Sequence, residues 1–144
     1  MSREGNKVFV GMPFGSDDDA KFKKRCDAVF KAIDAVCTDL DLEAERVDQY
    51  AGSGPIIPKI KKLIRNADYL VFDLTAERPN VYYEIGYAHG KDKTGDDIVL
   101  IAEAGTKTHF DVAHRSILFF SNTEELREEL AAHLEAMMPG DDEE

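Results

Sequence analysis

No stretch of the 144 residues approaches the length of apolar chain that spans a bilayer, and the first seven, Met1 to Lys7, are polar. A membrane span and a secretory leader are therefore not expected, and a cytoplasmic protein is. Positive charge is scarce: 18 Lys and Arg stand against 29 Asp and Glu, a net charge of −11. Binding a nucleic-acid polymer needs a basic stripe, and none is evident in the sequence. Cysteine is limited to Cys26 and Cys37. On one continuous helix they would lie about 16 Å apart along the axis, too far for a disulfide, so both are expected reduced and structural. The chain also lacks repeats, low-complexity linkers and any composition break that would divide it. The expectation is one domain over 1–139, followed by an acidic disordered tail, 140–144.

What is present is organised around Asp68 to Gly90. Tyr69 to Phe72 is almost wholly apolar, as suits a strand buried on both faces of a parallel sheet, and it ends at Asp73. A polar turn, Leu74 to Arg78, leads to Pro79 and Asn80, a helix-start pair. The helix that follows sets Asn80, Glu84 and Tyr87 on one stripe and Val81, Ile85 and Ala88 on a second, apolar one. Glu84 then stands near the helix start, above the carboxyl end of the strand, where open α/β sheets bind ligands.

Elsewhere the pattern alternates strand and helix. Val8 to Val10 reads as a first strand, ending in Gly11, Met12, Pro13, Phe14 and Gly15. Ser16 to Asp19 supplies caps for a helix over Ala20 to Thr38 that buries Phe22, Val29, Ile33 and Val36. Leu42 to Val47 reads as the second strand, ending at Asp48. A second helix starts at Pro55 or Ile56. The fourth strand is Ile98 to Ala102, followed by a loop over Glu103 to Arg115 with one helical turn near Asp111. Ile117 to Phe120 is the fifth strand and Thr123 to Met137 the final amphipathic helix. Right-handed crossovers then predict an α/β three-layer sandwich, with a five-stranded parallel sheet in the order 2-1-3-4-5. Its switch point falls between strands 1 and 3, which puts the site between the Gly11–Gly15 loop and the Asp73–Glu84 segment.

Several chemistries lack their residues. Gly11 to Gly15 has no Lys and is followed by acids, which excludes a Walker phosphate loop, and there is no G-x-G-x-x-G. A phospho-accepting receiver needs an acidic pair after strand 1, where Met12, Pro13 and Phe14 stand. His89, His109, His114 and the cysteines have no metal-ligand spacing, so no metal is expected, and no cofactor. No Ser or Cys sits in a nucleophile elbow. Carboxylates remain. Glu84 could stabilise or trap an oxocarbenium-like anomeric carbon, its ionised form favoured by the helix N-terminus, while Asp73 and Asn80 hold sugar hydroxyls and Tyr83 or Tyr87 orients the carboxylate or stacks on a base. A solvated helical Glu, a capping Asp and two packing tyrosines account for the same residues without chemistry.

Val8 to Phe14, Arg46-Val47-Asp48, Asp73 to Thr75, Pro79 to Ala88, and Phe110 to Val112 with Arg115 together resemble the nucleoside 2-deoxyribosyltransferase superfamily. They resemble most its branch of small bacterial proteins related to Toll/interleukin-receptor (TIR) domains. The resemblance spans nearly the whole chain, and Asn80 to Gly86 is its most specific part. It implies a flavodoxin-like fold, an N-glycosidic bond as target, Glu84 as the nucleophile, and a small nucleoside or nucleotide held by Gly11, Met12, Pro13, Phe14, Asp48, Asn80, Tyr83 and Tyr87. It also leaves room for a homo-oligomer, because a neighbouring subunit often completes such sites. Two positions depart from the pattern. Asn80 stands nearest to where the transferases have an acid that protonates the base, a role that would fall to Asp73, and Phe9 stands where they have a tyrosine. Hydrolysis of a nucleoside, nucleotide or NAD-like dinucleotide is thus expected ahead of transfer. The alternative is a non-catalytic nucleotide-binding sensor or TIR-like interaction module.

Overall fold

In a computed structural model, residues 5–13, 19–46, 56–77, 79–93, 97–108 and 116–139 are described. The expected turn at Asp111 and the acidic tail lie outside them, as do Val47, Arg78 and Arg115. Five parallel strands, β1 (Lys7–Gly11), β2 (Glu43–Arg46), β3 (Tyr69–Asp73), β4 (Ile98–Glu103) and β5 (Ile117–Phe120), form one sheet in the order β2-β1-β3-β4-β5. Four helices cover it: α1 (Ala20–Asp39), α2 (Ile56–Asn66), α3 (Pro79–Gly90) and α4 (Thr123–Met137). This is the expected flavodoxin-like α/β architecture.

Alternation along the strands divides the core in two, because successive side chains of a strand leave on opposite faces. Val8, Val10, Tyr69, Val71, Val99, Ile101, Leu118 and Phe120 meet α1 and α4 on one face. Phe9, Leu70, Phe72, Ile98, Leu100 and Ala102 meet α2 and α3 on the other. The helices present matching stripes. On α1 the buried residues are Cys26, Val29, Ala32, Ile33, Val36 and Cys37, and on α4 they are Leu126, Leu130 and Leu134. Each of those leucines is wholly buried and contributes about 1.5–3 kcal/mol. Both cysteines are free and buried, and burial, with Asp34 nearby, pushes the Cys37 thiol up to about 12.

Side chains set where the helices begin. Asp19 accepts the backbone N–H of Phe22 at 3.1 Å and Asn122 that of Glu125 at 2.8 Å, each satisfying a donor that the first helical turn leaves free. At the amino end of the sheet, Asp68 accepts the Lys7 N–H at 3.0 Å while the Asp68 N–H donates to the Lys7 carbonyl at 2.8 Å. These bonds lock β1 beside β3, in a register that sets Gly11 opposite Phe72 at the carboxyl end.

Candidate active site at the carboxyl end of β1 and β3

Gly11 is the last residue of β1, on the same face as Phe9 and Phe72. A methyl group placed on it would stand 2.6 Å from Cδ1 of Phe72 and 2.7 Å from Oε1 of Glu84. Only glycine leaves room there. Glu84 reaches this point from α3, where it is the sixth residue and turns inward with Val81, Ile85 and Ala88. The residue is 5 % exposed, and its carboxyl has no hydrogen bond or ion pair among the described residues. Burial pushes it up to about 7, so the acid and its carboxylate coexist near neutrality. The expected help from the helix N-terminus is not realised. Glu84 lies in the second turn, where the dipole has faded and desolvation decides.

Asp73 is not brought to Glu84. Phe72 faces α3, so strand alternation sends the next side chain to the α1 face, where Asp73 is completely buried. Its Oδ2 pairs with Nη1 of Arg25 at 3.0 Å and its Oδ1 accepts the Thr75 N–H at 3.0 Å. Nε of Arg25 also binds Glu103 at 2.9 Å. Burial alone would lower the pKa of Arg25, but Asp73 and Glu103 outweigh it and hold the guanidinium charged. Its Nη2 is buried without an acceptor among the described residues. Thr75 in turn accepts the Glu103 N–H at 2.9 Å, and Ala76 is held at φ 68° in a single 3-10 turn, Thr75–Glu77, just ahead of α3. This network ties α1, β3 and β4 to the loop that launches α3.

The other expected residues divide. Met12 and Pro13 are buried beyond Gly11, with Met12 turned to the α1 side, where its sulfur is 4.0 Å from Nη1 of Arg46. Arg46 lies over the Phe30 ring at 4.3 Å and pairs with Asp27 at 3.5 Å, so it is committed to α1. Phe9 lies under the site, its ring 6.0 Å from that of Phe72. Tyr83 is 52 % exposed. Tyr87 turns to α2 instead of to the carboxyl: its hydroxyl accepts from Nη1 of Arg65 at 3.2 Å, and Nζ of Lys61 lies 5.4 Å above its ring. Asn80 opens α3, but its side chain lies outside the described residues, as do Phe14 and Asp48. Among the described residues no three His, Cys, Asp or Glu side chains gather as a metal's ligands would.

Sequence reasoning missed Arg25 and Glu103. The signal was available: Arg25 lies three residues from Phe22 and four from Val29, on the stripe α1 buries, and a cation there requires an acid at the sheet's edge.

No protein-family model matches the chain, and no curated protein sequence does. Solved structures do. A CMP N-glycosidase of Clostridium botulinum superposes with a TM-score of 0.64 at 15 % identity, over 88 % of this chain and 98 % of that one. A 2-deoxyribosyltransferase of Leishmania mexicana gives 0.54 at 18 % identity, over 75 % and 69 %. The fold is nucleoside 2-deoxyribosyltransferase-like. A diflavin flavoprotein of Nostoc sp. also matches, with a TM-score of 0.50 at 15 % identity over 89 % and 88 %. Fold by itself selects no chemistry; the residues at Glu84 must do so.

Proposed function

We propose that the chain cleaves the N-glycosidic bond of a small nucleoside, nucleotide or NAD-like substrate, with Glu84 as the nucleophile. The observation that carries this is the position of Glu84: a buried residue whose carboxyl has no partner among the described residues, against the backbone of Gly11, at the switch point of the sheet. The enzymes named in the two structural matches act on this class of bond, which supports the reading.

The carboxylate oxygen attacks the anomeric carbon as the bond to the base breaks and its electron pair leaves with the base, which takes a proton from solvent. Water then releases the sugar from the glycosyl ester. As the anomeric carbon becomes cationic, its charge draws Glu84 into the ionised form, and the dry surroundings strengthen that attraction. The same burial that hinders ionisation of the empty site thus favours the transition state. Asp73 acts at one remove, by fixing the Thr75–Glu77 turn and with it the start of α3.

The test is a chromatographic screen for free base released from pooled nucleosides, nucleotides and NAD, with Glu84→Gln as the comparison. Release by the wild type that disappears in the variant supports the proposal, and a second base added to the mixture separates transfer from hydrolysis. If no substrate is cleaved while nucleotides bind both proteins equally, the site is that of a sensor.

A further inference from the structure

The positive charge of this acidic chain is not spread evenly. α2 contains Lys59, Lys61, Lys62 and Arg65 and no acidic residue, and the sole acid of α3 is Glu84, which points inward. Around Tyr87, where the two helices meet, the charges converge. Nζ of Lys61 lies 5.4 Å and Nζ of Lys91 6.0 Å from the ring centroid, and Arg65 donates to the hydroxyl. None of Lys61, Lys62, Arg65 and Lys91 is in an ion pair among the described residues. Arg25, Lys7 and Lys23, by contrast, each hold an acid at 2.6–3.5 Å. Lys21, Lys24 and Lys31 of α1 are in no ion pair among the described residues either, but that helix also carries Asp27, Asp34 and Asp39; α2 carries no acid, so its cations repel one another and present a surface awaiting anions.

The matching surface lies on the opposite side of the same molecule. α4 packs on the other face of the sheet and exposes Glu124, Glu128, Glu129 and Glu135, with Arg127 as its one Lys or Arg. None of those glutamates is in an ion pair among the described residues. One molecule therefore carries two complementary helix faces that it cannot bring together itself.

We propose that the α2–α3 face is a docking site for α4 of a second copy, giving head-to-tail association. Because the two patches differ and lie on opposite sides, the contact is heterologous, and it propagates unless rotation closes it into a ring. The repulsion between two chains of net charge −11 works over distance and is screened beyond about 8 Å at physiological salt, whereas facing Lys–Glu contacts are closer than that.

Sedimentation or light scattering of the full chain against concentration tests this, at about 0.15 M and about 1 M salt, with circular dichroism confirming that each variant is folded. Association is expected at the lower salt and lost at the higher. Lys61→Glu with Arg65→Glu, and separately Glu124→Lys with Glu128→Lys, should each weaken it by about tenfold or more. The decisive sample is the mixture of the two variants. The first keeps its acidic α4 and the second its basic face, and the two reversed faces are again opposite in charge, so the mixture should associate where neither variant does alone. A chain that is monomeric at every concentration at the lower salt overturns the proposal. So does association that survives both charge reversals, or a wild type that binds a nucleic-acid homopolymer through this face without associating with itself.

Discussion

Removing the charge of Glu84 should make the protein more stable as the pH rises. The residue is 5 % exposed, and burial pushes its carboxyl from 4.5 up to about 7 in the folded state. Between these values the folded chain holds a proton that the unfolded chain has lost, so this group lowers stability as pH increases through the window. The loss is nil below about pH 4.5 and complete above about 7, where it amounts to about 3 kcal/mol. Glu84→Gln cannot ionise. Its buried amide carries a cost of its own, but one that does not change with pH. The measurement is urea denaturation of both proteins from pH 4 to pH 8, and the quantity that matters is the difference between them. That difference should move in favour of the variant by about 3 kcal/mol across the window, equivalent to about 6–12 °C in melting temperature. Stability curves that stay parallel from pH 4 to pH 8 would show that Glu84 ionises as an exposed glutamate does, and the account of a desolvated nucleophile would be wrong.

Other substitutions probe the rest of the site. Gly11→Ala drives a methyl into the Phe72 ring and the Glu84 carboxyl, and should cost about 1–3 kcal/mol in thermal or urea unfolding, with base release falling alongside. Asp73→Ala leaves Arg25 buried beside Glu103 alone and should destabilise by about 3–5 kcal/mol, whereas Asp73→Leu with Arg25→Met should cost less than the two single changes summed; a double-mutant cycle by urea unfolding reads the difference. Cys37, held up at about 12, should resist a thiol-specific disulfide reagent at pH 8 in the folded protein and react once urea unfolds it.

The sheet order is legible in the sequence because each strand is a short apolar run and each helix carries a stripe, so the crossover rules leave little choice. Glu84 was readable because Pro79 fixes the start of its helix and Val81, Ile85 and Ala88 fix which way that helix faces. Asp73, expected to hold a sugar hydroxyl or protonate the base, faces away from Glu84 for a reason of scale. Chain position places both at the carboxyl end of β3, but one residue of strand alternation decides the face, and only Phe72 packed against Gly11 settles that parity. Tyr87 was assigned to the site on the same stripe logic, yet the cations of α2 draw it the other way. The ionisation of Glu84 was out of reach, since it depends on what surrounds the carboxyl and not on its place in the helix.

The placement of β1 between β2 and β3 also bears on the order in which the molecule can be built. β1 leaves the ribosome early, yet the bond that closes it against β3 joins Lys7 to Asp68, 61 residues further on. Until then its growing edge can be matched only by β2, with α1 as a roof over one side. The other side, with Phe9 and Gly11, waits for Phe72 and then for α3. Glu84 is thus enclosed only when a late helix settles onto an early strand. Its carboxyl loses its water in that closing step.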